Sequence, residues 1–210
     1  MQRVGYLKAS LIVVLPIILA SCVGIDSKAL INSDGSGTLS AEYTLSKDLV
    51  SFGQQDNGKA ALPIPLSREE LESSLKSQPG LSLKSWSSRK SGDDLVISVT
   101  MSFSDIKSMI NFLDPKGQLS TYTETGSDKI LFLSLGDSIP PLDPSMKKMA
   151  TEAFSPYSMK LAFTLPSPPK TVVATGTGTK AWIDGKTARL EAAMKDVVTS
   201  EEPVTLKIVW

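Results

Sequence analysis

Side chains able to do chemistry are sparse in this sequence, and the gaps among them are informative. The 210 residues contain no histidine and a single cysteine, Cys22. That removes the commonest general base, the Ser/His and Cys/His dyads, and most zinc or copper sites. Ser-x-x-Lys spacing, a candidate acyl-enzyme arrangement, occurs for example at Ser73/Lys76, Ser104/Lys107 and Ser145/Lys148. Penicillin-binding enzymes support such a serine with Ser-Asp-Asn and Lys-Thr-Gly motifs, and both are missing here. In a chain this rich in Ser and Lys the spacing arises by chance, and Ser104 is expected to cap a helix. Asp34-Gly35 superficially resembles a calcium loop, but Leu30 and Ala41 occupy places where an EF-hand needs an acid and its closing Glu. It reads as a hairpin turn. Gly176, Gly178 and Lys180 fail the spacing of a phosphate loop and suggest a strand bulge instead. The expectation is a protein without catalytic residues, cofactor or bound metal.

Cys22 is the exception. Leu19-Ala20-Ser21-Cys22 follows a basic start (Arg3, Lys8) and an apolar run from Ala9 to Ala20. The run is interrupted by Pro16 and falls short of the ~20 residues that cross a hydrocarbon core, so it reads as a secretory signal rather than a membrane helix. Small residues at the two positions before the cysteine and an aliphatic at the third match the bacterial lipobox. Residues 1–21 are thus expected to be a lipoprotein signal peptide, removed so that the Cys22 thiol carries diacylglycerol and its new amine an acyl chain. This predicts an anchor in a bacterial membrane, on the non-cytoplasmic side of the cell envelope. Residues 22–27 read as the lipidated cysteine with a short tether, and 28–210 as one domain.

Composition is compatible with such a body. Hydrophobic residues make up 41% of the chain and charged ones 21%, which is enough for a folded core. The chain has 22 basic and 22 acidic residues, and losing Arg3 and Lys8 leaves 20 basic against the same 22 acids. A balance so close to neutral argues against nucleic acid, which demands a basic face. With no second cysteine, stability must come from packing rather than disulfides.

The elements that must position any site follow a repeated grammar. Leu30-Ile31 enters the turn Asn32 to Gly37, and Leu39, Ala41, Tyr43 and Leu45 alternate with polar residues beyond it. Lys47 to Phe52 reads as a short helix and Gly53 to Pro65 as a long loop. Ser67 and Glu70 have capping-box spacing, with Leu66 and Leu71 as a hydrophobic staple. Strands Leu81 to Arg89 and Leu95 to Phe103 are followed by a helix whose Ile106, Met109, Ile110 and Leu113 form one stripe. A third hairpin, Gln118 to Glu124 with Lys129 to Leu135, precedes a helix opening at Asp143-Pro144, in which Met146, Met149, Ala150, Ala153 and Phe154 share a face. Tyr157 to Leu165, Thr171 to Gly176, Lys180 to Ile183, Thr187 to Ala193 and Val204 to Trp210 complete the strands, with a short helix at Met194 to Thr199. The predicted fold class is α+β: an antiparallel curved sheet built from ββα-like steps, with short helices packed on one side.

Candidate ligand-binding residues come from apolar placement. Three proline-punctuated apolar loops, Leu62 to Leu66, Ile139 to Leu142 and Leu165 to Pro169, could form the mouth of a groove or act as rigid connectors. Leu62, Ile64, Leu66, Ile139 and Leu142 are the residues singled out there. Trp86, by alternation on the opposite strand face from Leu81 and Leu83, and Trp182, sharing a face with Lys180 and Asp184, could line a ligand surface or be ordinary core.

The lipobox Cys22, the Asn32-to-Gly37 hairpin, the strand-then-helix passage from Phe103 to Leu113 and the ending Pro203 to Trp210 together resemble the bacterial envelope lipoproteins of the LppM type. The resemblance implies an α+β domain displayed in the cell envelope, binding or handling lipids or glycolipids, with no catalytic residue to carry over. A non-catalytic lipid-binding module is therefore the first expectation. The alternative is a protein-interaction or scaffold lipoprotein, such as an adhesin, which would show a solid core and an exposed apolar patch rather than a groove.

Overall fold

The computed structural model describes residues 23–47, 65–114, 120–135 and 142–210. The expected signal peptide, Cys22, most of the Lys47-to-Phe52 helix and the loop from Gly53 to Ile64 lie outside the described residues. Period-two patterning produces a first hairpin, β1 (Val23–Ile31) with β2 (Gly37–Leu45), closed by the Asn32-to-Gly37 turn. In that turn Asp34 accepts from the Ser36 hydroxyl at 2.7 Å and the Ser36 amide at 3.0 Å, which holds its carboxyl below the ordinary carboxylate range. The second hairpin joins β3 (Leu81–Ser91) to β4 (Asp94–Phe103), and the third joins β5 (Thr121–Thr125) to β6 (Asp128–Leu135). Helices α1 (Arg68–Lys76), α2 (Ile106–Leu113) and α3 (Pro144–Phe154) follow the three hairpins in turn. After them come β7 (Ser158–Thr164), β8 (Thr171–Thr175), β9 (Thr179–Asp184), β10 (Thr187–Ala193), α4 (Met194–Thr199) and β11 (Val204–Val209).

The α+β class and the ββα steps are as the sequence led one to expect, but the strands divide between two sheets. One has the order β3-β4-β2-β1-β7-β10-β9 and the other β5-β6-β11-β8. The first sheet is mixed rather than wholly antiparallel, because β1 runs parallel to β7, with Ile25 opposite Met159 and Ala29 opposite Phe163. Alternation reveals which face a residue takes, not which strand lies beside it, and the long chain between β1 and β7 allows a parallel return. Residues from both sheets meet in one core that includes Ile97, Leu131, Leu190, Leu206 and Ile208, each 1% exposed or less.

Several local expectations are corrected. Val23 to Ser27, read as a tether, form the first half of β1 and are paired on both sides, to β2 from Val23 and to β7 from Ile25. The α2 cap is Asp105 rather than Ser104: the Asp105 carboxylate accepts from the Ser108 amide at 2.9 Å, and Ser104 donates its hydroxyl to the same side chain at 2.8 Å. A carboxylate has more lone pairs for the orphan N–H groups of a first turn than a hydroxyl does. Gly176 and Gly178 form the turn by which the chain leaves one sheet at β8 and enters the other at β9, not a bulge within a strand. Gly178 has a positive φ of 69°, a conformation that favours glycine. Met149 is 49% exposed, and α3 buries Ala150 and Phe154 instead.

Candidate functional site

Across the middle of the larger sheet, one row of inward-facing residues is unusually small. Ser27 of β1 sits opposite Ala41 of β2, with Val99 of β4 next to Ala41 and Leu161 of β7 next to Ser27. The rows on either side carry Tyr43 and Met159, then Leu39 and Met101. The two short side chains leave a hollow of about 520 Å³, and all of these residues line it. Its roof comes from α1 through Leu71 and Ser74, from Gln78 just beyond that helix, from Phe112 and Leu113 of α2, and from Leu135 of β6. Pro65 also lines it.

Local sequence explains how the roof is fixed. The α1 capping box forms as its spacing predicts: the Glu70 amide donates to Ser67 Oγ at 3.2 Å, while Glu70 Oε2 accepts from the Leu66 and Ser67 amides. Leu71 and Leu75 are the residues that α1 buries. The Tyr43 hydroxyl donates to the Pro65 carbonyl at 3.0 Å, pinning the end of the proline-punctuated loop to the sheet. Burial, with the Glu70 charge as a lesser cause, pushes the Tyr43 hydroxyl up to about 12, so it stays a donor across the physiological range. Among the described residues no Asp, Glu, Lys or Arg lines the hollow, and polar atoms reach it from Ser27, Ser74, Gln78 and Tyr43. Among the described residues no cluster of three or more His, Cys, Asp or Glu side chains could hold a metal ion.

Two of the named Ser-x-x-Lys pairs have other partners. Ser145 donates to Asp143 at 2.6 Å as part of the α3 cap, Lys148 reaches Glu152, and Ser104 serves Asp105. The three apolar loops are placed unequally. Leu66 and Leu142 are half-buried against the core without lining the hollow, and Leu62, Ile64 and Ile139 lie outside the described residues. Leu165 is 2% exposed, and the loop after it acts as a connector, with Lys186 donating to the Pro166 carbonyl at 2.9 Å.

The two tryptophans separate. A bulge between Leu83 and Ser85 shifts the register of β3, so that Leu81, Leu83 and Trp86 stand opposite Phe103, Met101 and Val99 respectively. Trp86 therefore shares the inner face with Leu81 and Leu83, contrary to simple alternation, and packs on the core without lining the hollow. Trp182 lies on the outer face beside Arg189, which reaches Asp184 at 3.0 Å, and the whole thickness of the sheet separates it from the hollow. That outer face is a lattice of polar pairs: Ser40 with Thr100, Ser98 with Glu42, Thr164 with Thr187 and Lys160 with Glu191.

No family model matches this sequence, and no curated protein matches it. Among solved structures the chain is similar to the folded domain of the Mycobacterium tuberculosis protein LppM, determined by NMR, with 10% sequence identity, 90% of each chain covered and a TM-score of 0.49. Among the described residues, no helix is long and apolar enough to cross a membrane.

Proposed function

We propose that this chain is a lipid-anchored protein of the bacterial cell envelope that binds the acyl part of a lipid or glycolipid without reacting with it. The lipobox before Cys22 supports the anchor and the non-cytoplasmic location. The observation that carries the binding role is the row Val99, Ala41, Ser27 and Leu161, whose small central pair leaves an apolar hollow of about 520 Å³ between sheet and helices. That size falls within the ordinary range of small-molecule sites, which are mostly apolar with a few fixed polar atoms. Each methylene moved from water into it contributes about 0.8 kcal/mol, so a partly inserted chain offsets the cost of its ordering. In keeping with a non-catalytic role, none of the described lining residues is a histidine, cysteine or carboxylate that could act as nucleophile or base.

Pro65 lines the hollow, and Leu62 and Ile64 precede it closely in the chain, which suits them to its mouth. The test is mass spectrometry of organic extracts from purified Val23–Trp210, a span that contains every described strand and helix. Starting at Ser27 would cut β1 in half. A lipid recovered in stoichiometric amount is the expected result, and an extract without lipid, from protein that is folded and exposed to membranes, contradicts the proposal.

A further inference from the structure

The larger sheet ends at β3 and β9, the smaller at β5 and β8. An open edge presents unpaired amide and carbonyl groups, which natural sheets blunt with bulges, short strands or like charges. On β3 a bulge after Leu83 breaks the line, and Lys84, Arg89 and Lys90 are all basic. β5 and β8 have five residues each; Glu124 of β5 is held by Tyr122 and Lys129, and β8 carries no charge. β9 differs from all three. Its six residues, Thr179 to Asp184, include one base and one acid, and they expose Trp182 at 43% and Ile183 at 44% on opposite faces. The turn at Gly176 and Gly178 leads into it from β8, but β8 pairs in the other sheet. None of the β9 residues lines the hollow.

The two charges of β9 are placed to meet those of a second copy. Lys180, Trp182 and Asp184 share the outer face, opposite Glu191, Arg189 and Thr187 of β10. Lys160 engages Glu191 at 3.9 Å, and Lys180 makes no ion pair among the described residues. Both contacts from Arg189 to Asp184 fall on Oδ2, at 3.0 Å each, which leaves Oδ1 open. A strand that pairs antiparallel with its own copy about a two-fold axis normal to the sheet keeps like faces together. With the axis at Trp182, Lys180 stands opposite Asp184 of the second copy, and by symmetry Asp184 opposite its Lys180. Trp182 then meets Trp182 on the outer face, and Ala181 meets Ile183 on the inner. An axis at Ala181 puts Lys180 opposite Trp182 instead, and one at Ile183 sets Lys180 against Lys186, so a single register satisfies both charges. We propose that β9 pairs with β9 of a second copy in this register, joining the seven strands of each into one sheet. The backbone ladder supplies affinity, the two ion pairs fix the register, and the paired indoles and Ile183 leave water.

The experiment uses the full-length chain in detergent with Cys22→Ser, so that an introduced cysteine is its only one. Facing residues have Cα atoms about 4.5–5.5 Å apart, within the span of a disulfide. The two copies of Lys180 would lie roughly 14 Å apart, beyond that span. Lys180→Cys and Asp184→Cys chains, each oxidised alone, should therefore stay unlinked on a non-reducing gel. Mixed, they should give about tenfold more disulfide-linked dimer than either alone, since the mixture keeps Trp182 and one ion pair. Trp182→Cys should link to itself. Adding Lys180→Asp to it sets acid against acid on both sides of the axis and should abolish the link, and adding Asp184→Lys as well should restore it. Equal linking in the mixture and in the separate samples would overturn the proposal, as would no linking in either the mixture or Trp182→Cys. A link that the charge reversal leaves unchanged, or that the double reversal fails to restore, would overturn the register.

Discussion

Two parts of one sheet face have been packed differently. On the β10 side, Ala188, Leu190 and Ala192 are each 1% exposed or less, and none of them lines the hollow. Near β1 and β2 the same face offers residues no larger, Ser27, Ala29 and Ala41, yet above Ser27 and Ala41 the covering helices do not descend to fill the gap. Small side chains alone do not make a cavity. What differs is the cover: helix α4 leads directly from β10, whereas α1 is held by its capping box and α2 by its Asp105 cap at positions set by their own termini. A small row under a rigid roof stays hollow, because interiors collapse onto a gap only as far as the surrounding elements can move.

The comparison can be broken most severely where Gly37 pairs with Ile31 and Phe103. A Cβ on Gly37 would fall 1.9 Å from the Leu30 carbonyl oxygen and 2.4 Å from Phe103 Cζ, so backbone rather than a flexible side chain must yield. Gly37→Ala is expected to cost about 3 kcal/mol or more, the upper end of overpacking. At 2–4 °C per kcal/mol that is a fall of roughly 10 °C in Tm by calorimetry. A shift under about 2 °C would show that the packing around Gly37 is looser than these distances imply.

A matched pair sharpens the difference. Ala188→Leu adds three carbons at a position with no solvent exposure and is expected to cost about 1–3 kcal/mol. Ala41→Leu adds the same atoms above the hollow, where they have room, and should leave the denaturant midpoint nearly unchanged. Equal losses from both substitutions would mean that the hollow is not accessible space.

How much of this was legible in the sequence depended on the kind of signal. Turns at Gly35, Gly92, Gly126 and Gly185 and the Ser67/Glu70 box were readable because each rests on residues a few places apart. Trp86 was not, since one bulged position at Lys84 reverses every side chain after it and nothing in the residue types marks that position. The pairing of β1 with β7 was hidden for the reason that period two is silent about partners. A groove between sheet and helices was anticipated in kind, but its lining was sought in proline-rich loops. The available signal was Ser27 and Ala41, small residues in the middle of otherwise bulky apolar rows, and it needed the β1–β2 register to acquire meaning.

Smaller effects test the roof. Ser67→Ala removes the α1 cap and should cost about 1 kcal/mol, with a matching loss of helix stability by hydrogen exchange. The Asp105 carboxyl is held low first by the Ser108 amide and then by the Ser104 hydroxyl. A depressed folded value means that the α2 cap contributes its stability in full above the ordinary aspartate value near 3.9 and loses it as pH falls through the lower folded value. Asp105→Asn should therefore flatten the acid limb of the stability profile below about pH 4. An unchanged acid limb would indicate that Asp105 does not secure the roof.

The most direct test of the account is lipid binding by Ala41→Leu, the substitution expected to disturb the fold least. Filling the hollow above Ser27 and Ala41 should lower the lipid recovered per protein, or the yield of acyl photo-cross-linking, about tenfold while Tm stays within about 2 °C of the parent. Undiminished lipid binding by that folded variant would contradict the assignment of the hollow as the lipid site.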